Sequence, residues 1–196
     1  MNGSFRGLDS ARHSYKFSLM FSDRQAADTL RFTIQLRTEK KEAGRRLLGR
    51  REILIVEDNP GDVRLMKEAL KVLEPPVNVH VASDGDQAIQ FLRQEGEYAA
   101  VPTPNLIFLD FNLPRSGSCD LLHQIKQDRS LTCIPVAVLT TSDVDRDIRR
   151  AYELHANCYV RKPSDLDGFF STIRTVAHFW LDVVLRPGDS GADGSK

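Results

Sequence analysis

Several short apolar runs of the sequence are followed at once by residues with reactive or charged side chains. Three of these residues are carboxylates, one is a hydroxyl and one is an ammonium: Glu57, Asp58, Asp110, Thr140 and Lys162. If the runs are parallel strands of one sheet, their carboxyl ends meet at the edge where such sheets bind ligands. The five side chains are then expected to converge from distant parts of the chain on one site.

This set of side chains is suited to phosphoryl transfer. Crowded carboxylates repel one another unless a cation lies among them, and hard oxygen ligands suit Mg²⁺, so Glu57, Asp58 and Asp110 are the expected metal ligands. A carboxylate beside the metal can attack a phosphoryl group, because this transfer depends on in-line positioning and on neutralising the charge of the phosphoryl oxygens. Lys162 supplies further positive charge, and the Thr140 hydroxyl can donate to a phosphoryl oxygen. The pattern predicts an aspartyl phosphate.

The elements that position this site alternate from residue 52 onward. Short apolar runs alternate with longer segments of helical period, which is typical of a parallel sheet with helices on both faces. Three runs are almost entirely apolar, as in strands buried on both faces, whereas the second and fifth are mixed, and we place the second at one edge. The runs cover residues 53–56, 77–81, 106–109, 136–139 and 159–160. Five strand–helix units fit one doubly wound α/β domain.

Capping residues mark the helix boundaries. Asn59 followed by Pro60 predicts the N-cap and first position of the first helix, and Ser142 is the predicted N-cap of the fourth. Apolar residues mark a third helix over residues 121–125, and a long apolar stripe marks the last over residues 166–184.

Charge divides the chain into a basic and an acidic part. Residues 1–51 carry 12 Lys and Arg against 5 Asp and Glu, and the remainder carries 15 against 22. The basic part mixes charges with Ser and Gly, so we predict a disordered N-terminal extension over residues 1–51. The folded domain is predicted over residues 52–185 and a flexible C-terminal tail over residues 186–196.

The composition favours a cytoplasmic protein. The chain is 41% hydrophobic and 28% charged, as soluble globular proteins are, and no apolar run approaches the roughly 20 residues of a membrane helix. No secretory signal is apparent, and Cys119, Cys133 and Cys158 are too widely spaced for a zinc site or a disulfide framework. We expect free thiols and neither a membrane nor a nucleic acid as partner.

The motifs at the strand ends resemble the receiver domain of two-component response regulators. The resemblance spans residues 52–185, about two thirds of the chain, and in detail the chain looks like the single-domain regulators paired with phytochrome-type histidine kinases. It implies a flavodoxin-like fold with strand order 2-1-3-4-5 and five helices. The similar segments are residues 55–62 (IVEDNPGD), 109–114 (LDFNLP), 138–142 (VLTTS), 154–159 (LHANCY) and 161–163 (RKP), with Phe179 and Trp180 at the end of the last helix.

The resemblance implies a metal-dependent phosphoacceptor. It assigns Glu57, Asp58, Asp110 and the backbone carbonyl of Asn112 to the Mg²⁺ ion. It also makes Asp110 the residue that takes a phosphoryl group from the histidine of a sensor kinase.

The resemblance further implies a switch. Thr140 follows the phosphoryl group, Tyr159 turns inward behind it, and Lys162 pairs with the phosphate. The Lys162–Pro163 peptide bond is expected to be cis. The fourth helix, fifth strand and fifth helix then form the surface for partner binding, which leaves open a homodimer through this surface.

One position departs from the family. The loop after the aspartate usually carries Asp-Gly where this chain has Gly117 and Ser118. Because a positive φ is easy for Gly and costly for other residues, Ser118 is expected either to strain the turn or to mark a shifted loop.

Three other functions compete with the non-enzymatic switch. Phosphatases of the haloacid dehalogenase type also use a strand-end aspartate, Mg²⁺, a threonine and a lysine, but they normally carry a second acid two residues after the nucleophile, where this chain has Asn112. A phosphorylation-independent scaffold would not need the site residues that the chain retains. A flavin-binding electron carrier would need a phosphate-binding Ser/Thr/Gly loop after the first strand, which is lacking.

Overall fold

The computed structural model describes residues 51–114 and 117–186, and within them five parallel strands alternate with five α-helices. The strands are β1 (Arg51–Val56), β2 (Val77–Ala82), β3 (Leu106–Asp110), β4 (Val136–Thr140) and β5 (Cys158–Arg161). The helices are α1 (Pro60–Leu70), α2 (Gly85–Leu92), α3 (Gly117–Gln127), α4 (Asp145–Glu153) and α5 (Leu166–His178). A 3-10 turn at Gly96–Tyr98 follows α2, and a π-helical segment at Phe179–Val183 continues α5.

The sheet has the order β2-β1-β3-β4-β5, and all neighbouring strands are parallel. This confirms the predicted order and the edge position of β2. The three inner strands are buried at every residue, whereas β2 and β5 are partly exposed. The hydrophobicity of the runs therefore follows their place in the sheet, because only inner strands are covered on both faces.

Alternation along the strands divides the core into two layers. Leu54 and Val56 of β1 face a cluster that includes residues of α2, α3 and α4, and Ile53 and Ile55 face a cluster that includes residues of α1 and α5. Since successive side chains point to opposite faces of a strand, each inner strand contributes to both layers. The sheet is thereby fixed from both sides, and its carboxyl edge is held in place.

The predicted caps differ in outcome. Asn59 is the N-cap of α1, its side chain accepts from the Gly61 N–H at 2.8 Å, and Pro60 is the first helical residue, as predicted. Ser142 is not the cap of α4, which begins at Asp145 and has no side-chain cap. The Ser142 hydroxyl donates instead to the carboxylate of Asp147 at 2.7 Å, so the expected cap is wrong.

The expected cis bond at Lys162–Pro163 is also wrong. Among the described residues the cis peptide bond is Glu74–Pro75. The trans form is the lower-energy form for most X–Pro bonds. The Lys162 N–H donates to the Thr140 carbonyl at 2.6 Å, which continues the β4–β5 ladder beyond the last strand residue.

The end of α5 is tied to the amino edge of the sheet. Arg51 donates to Asp182 in the π-helical segment at 3.0 Å, and Arg186 donates to the Asn105 carbonyl, just before β3, at 2.6 Å. The π-helical segment also reaches β5, since the Trp180 indole lies beside the thiol of Cys158, the first residue of that strand, and opposes the rise that burial causes in the pKa of this thiol. The described ends of the chain are therefore both anchored on the side of the sheet opposite its carboxyl edge.

The predicted terminal segments lie outside the described residues, apart from Arg51, which opens β1, and Arg186. No helix within the described ranges is long and apolar enough to cross a membrane.

Candidate functional site

The predicted site residues meet at the carboxyl edge of the sheet. Glu57 directly follows β1, Asp110 and Thr140 are the last residues of β3 and β4, and Lys162 directly follows β5. These side chains are almost entirely buried, with residue exposures of 3% for Glu57, 6% for Asp110 and 0% for Thr140. The parallel topology thus brings together four chain segments that are far apart in sequence.

Lys162 lies at the centre of the site. Its Nζ is 2.7 Å from Glu57 Oε2, 3.1 Å from Asp110 Oδ2 and 2.8 Å from Asp62 Oδ2. An ammonium has three N–H donors, so these three carboxylates satisfy all of them. Lys162 therefore holds the ends of β1 and β3 and the first turn of α1 together.

Three carboxylates form a group that could hold a cation. One oxygen from each of Glu57, Asp58 and Asp110 lies within 4.8 Å of the others, and Asp58 is exposed whereas the other two are buried. Carboxylate oxygens are the ligands that Mg²⁺ and related hard cations prefer, and Mg²⁺ usually keeps several waters. The donor set and the opening at Asp58 fit such an ion.

The electrostatics of the site follow from burial and crowding. Burial raises the pKa of Glu57 to about 7, the hydrogen bond from Lys162 opposes this rise, and the charge of Asp110 adds to it. Burial alone would lower the pKa of Lys162, but its hydrogen bonds to Asp62 and Glu57 and the negative charge of Asp110 outweigh burial and raise it. The ammonium therefore stays charged, and the site still has an excess of negative charge that favours a cation.

Thr140 and Tyr159 are connected through one loop residue. The Ser142 N–H donates to Thr140 Oγ1 at 3.0 Å, and the Tyr159 hydroxyl donates to the Ser142 carbonyl at 3.0 Å. The Tyr159 ring meets Phe111 edge-on, with centroids 6.1 Å apart. Ser142 therefore lies between the Thr140 hydroxyl and the Tyr159 hydroxyl and contacts both. The switch roles of Thr140 and Tyr159 stay predictions.

Asn112 contacts Asp110 and the residues at the end of β4. Its N–H donates to Asp110 Oδ1 at 2.9 Å, and its side-chain amide is 3.4 Å from Thr140 Oγ1 and 3.4 Å from Thr141 Oγ1. The predicted role of its backbone carbonyl as a metal ligand stays a prediction.

Of the two expectations for Ser118, a strained turn or a shifted loop, the first is wrong. Among the described residues other than glycine, positive φ values occur at Gln94 and His155, not at Ser118. Ser118 lies in the first turn of α3, is 2% exposed, and its hydroxyl donates to the Asp110 carbonyl at 2.8 Å. The side chain that replaces the family's glycine thus contacts the backbone of the predicted acceptor.

Sequence reasoning missed Asp62 as a site residue. Asp62 is the third residue of α1, where an acidic side chain is favourable simply because it lies at the positive end of the helix dipole. Nothing in the local pattern showed that its carboxylate reaches Lys162, 100 positions further along the chain. The sequence did offer one signal that Asp62 belongs to the site. Asp62 lies in the segment 55–62, close to the two acids that follow β1.

The chain belongs to the response regulator receiver domain family, which residues 53–174 match. Among curated proteins it is similar to Response regulator Rcp1 of Synechocystis sp., with 44% identity over 135 residues, which cover 69% of this chain and 92% of Rcp1.

Solved structures agree with this family. One is the phosphorylated cyanobacterial phytochrome response regulator RcpA, with 42% identity and a TM-score of 0.68, covering 71% of this chain and 99% of RcpA. Another is the Mn²⁺-bound form of Rcp1, with 43% identity and a TM-score of 0.65, covering 70% of this chain and 99% of Rcp1. The predicted flavodoxin-like receiver fold and the resemblance to phytochrome response regulators are confirmed.

Proposed function

We propose that this response regulator accepts a phosphoryl group on Asp110 from the histidine of a sensor kinase. The observation that carries the proposal is the setting of the Asp110 carboxylate. Asp110 ends the inner strand β3, its side chain is 8% exposed, and its carboxylate lies within the three-carboxylate group and contacts Lys162. A buried carboxylate at the carboxyl edge of the sheet is positioned to react with a ligand, and it makes no contribution to the apolar core.

The two oxygens of Asp110 are held separately. Oδ1 accepts from the Asn112 N–H and Oδ2 accepts from Lys162, so the plane of the carboxylate is fixed before a donor arrives. In the reaction an Asp110 oxygen bonds to phosphorus while the bond from phosphorus to the kinase imidazole nitrogen breaks, and the imidazole leaves with that electron pair. Lys162 and the Thr140 hydroxyl are the groups that would contact the transferred phosphoryl oxygens.

We assign Glu57, Asp58, Asp110 and the Asn112 carbonyl to a Mg²⁺ ion. When bound, such an ion neutralises charge on the phosphoryl oxygens during transfer. The all-oxygen donor set supports this assignment, as does the Mn²⁺-bound form of the related Rcp1.

The output surface is proposed to be α4, β5 and α5. Exposed apolar side chains lie on or beside its helices, among them Val144, Tyr152 and Leu166, and Phe179 follows α5. Such residues suit contact with a protein partner or with a second copy of the chain. Because the relatives are phytochrome response regulators, we propose a phytochrome-type kinase as the phosphoryl source.

A phosphatase is the weaker alternative. Asn112 occupies the position at which a second acid would assist turnover, and its amide is 3.4 Å from the Thr140 hydroxyl. An amide N–H is far too weak an acid to protonate a leaving group, so a long-lived aspartyl phosphate is favoured. The cytoplasmic location and the absence of a nucleic-acid partner stay predictions.

The test is metal-dependent labelling of the purified chain. With Mg²⁺ and acetyl phosphate, intact mass spectrometry is expected to show one phosphate adduct on the wild type and none on Asp110→Asn. Asp120→Asn, which removes an exposed carboxylate from α3, serves as the matched control and should label like the wild type. An adduct that persists in Asp110→Asn, or that forms without a divalent cation, would contradict the proposal.

A further inference from the structure

Lys162 has no spare donor. Its three N–H groups are taken by Glu57, Asp62 and Asp110, and its side chain is 7% exposed, which leaves little room for water to serve as a partner. To contact a phosphoryl oxygen, the ammonium must give up one of these three acceptors. The position of Nζ during the reaction depends on which of the three carboxylates keeps its hydrogen bond to the ammonium.

The three acceptors do not have the same chemistry. Glu57 and Asp110 belong to the group of carboxylates whose oxygens lie within 4.8 Å of one another, so both are candidates for the metal, and Asp110 is the proposed acceptor. Asp62 is not in that group, and it lies on α1 rather than at a strand end. Metal binding and phosphorylation therefore engage Glu57 and Asp110, whereas Asp62 stays available as an acceptor for Lys162.

The first turn of α1 leaves Asp62 free for this contact. An acid at the third helical position often folds back onto the N-cap N–H. Here the N–H of the N-cap Asn59 donates to Glu57 Oε1 at 3.1 Å, and the Asn59 side chain accepts from Gly61. The Asp62 carboxylate extends across the site, with its side chain 30% exposed, and meets Lys162 at 2.8 Å.

We propose that Asp62 is a positioning residue that anchors the Lys162 ammonium while Glu57 and Asp110 turn to the metal and a phosphoryl oxygen becomes a new acceptor of the ammonium. This inference rests on the proposed function of Asp110. Asp62 acts through Lys162 and contacts neither the donor nor the acceptor oxygen. An anchored ammonium has already lost its side-chain freedom, so its contribution to transfer costs less at the moment of reaction.

The test compares three variants of α1 in the full chain. Asp62→Asn keeps the shape and removes the charge, and Asp62→Glu keeps the charge. Glu68→Gln removes an exposed carboxylate from the same helix, where it pairs with Lys71. At saturating Mg²⁺, Asp62→Asn is expected to take up phosphate from acetyl phosphate about tenfold more slowly, the size expected from one charge-assisted hydrogen bond. Asp62→Glu should recover part of this rate, and Glu68→Gln should keep all of it.

A second readout uses the metal-free protein and needs no phosphorylation. The Lys162 ammonium protons, followed by ¹⁵N NMR, should exchange with water faster in Asp62→Asn than in the wild type. The dissociation constant for Mn²⁺ alone, measured by electron paramagnetic resonance, should change much less than the rate. Unchanged proton exchange would overturn the anchor, because it would show that Asp62 does not hold the ammonium.

Other outcomes would also contradict the proposed role of Asp62. An unchanged or faster rate in Asp62→Asn would overturn the anchor, and so would a loss that disappears once Mg²⁺ saturates, since Asp62 would then act only by attracting the metal. A wild type that takes up no phosphate would overturn the proposed function of Asp110 and the anchor with it. If the wild type labels normally and Asp62→Asn does not differ from it, the anchor alone fails.

Discussion

At the scale of single residues, the site depends on one cation among four acids. Lys162 contacts Glu57, Asp62 and Asp110, and Asp58 is the fourth carboxylate of the cluster. Buried ionic groups contribute little net stability when they are all present, but the loss of one partner leaves the others uncompensated. Lys162 therefore matters to the metal-free fold as well as to the reaction.

Replacing Lys162 tests this dependence. Lys162→Gln is expected to lower the free energy of unfolding by about 3 kcal/mol in the absence of metal, because two buried carboxylates lose their counter-charge. Mg²⁺ should restore more stability to this variant than to the wild type, since the ion replaces part of the missing charge. Urea unfolding followed by circular dichroism, with and without Mg²⁺, measures both effects. Lys71→Gln, at an exposed pair with Glu68, is the control, and equal Mg²⁺ increments in both proteins would contradict the prediction.

At the scale of elements, strands and helices followed directly from the sequence pattern, whereas contacts between elements did not. The five apolar runs all became strands, and residues after four of them formed the site, because hydrophobic burial and parallel topology act on patterns that a sequence displays. The Ser142 cap failed because a hydroxyl has several nearby partners and the sequence does not rank them. Asp62 was missed because its partner Lys162 is distant along the chain.

The start of α3 offers a test at this scale. The Ser118 hydroxyl is the group that ties α3 to the carbonyl at the end of β3. Ser118→Ala is expected to destabilise the fold by about 1–2 kcal/mol, since the buried Asp110 carbonyl loses this donor. Ser171→Ala makes the same change at an exposed position of α5 and should be neutral or slightly stabilising, because Ala favours helices.

Thermal or urea unfolding of the two variants separates these outcomes. Equal stability of Ser118→Ala and Ser171→Ala would show that the hydrogen bond to β3 contributes nothing measurable. In that case Ser118 would be only a tolerated replacement for the family's glycine.

At the scale of the whole molecule, the site and the described chain ends lie at opposite edges of the sheet. The site is at the carboxyl edge, whereas Arg51 opens β1 and Arg186 binds the carbonyl of Asn105, just before β3. Residues 1–51 carry the basic excess of the chain, with 12 Lys and Arg against 5 Asp and Glu. The side chains that contact Asp110 therefore lie at the edge of the sheet opposite the described chain ends.

Removing residues 1–50 tests this separation. The shortened chain is expected to take up phosphate from acetyl phosphate at the same rate as the full chain, because every described contact of the site lies between Glu57 and Lys162. Quantitative intact mass spectrometry at several times gives the rate for both chains. Circular dichroism serves as the control that the shortened chain is folded. Slower uptake by a folded, shortened chain would show that the basic segment takes part in the reaction.

The contact between Trp180 and Cys158 gives the molecule an optical property. Trp180 is the chain's only tryptophan, and its indole, in the π-helical segment that continues α5, lies beside the Cys158 thiol at the start of β5. Sulfur in contact with an excited indole quenches its emission. The tryptophan fluorescence of the protein is therefore expected to report on the distance between β5 and the segment that follows α5, and a displacement of that segment from β5 should increase the emission of the unlabelled protein.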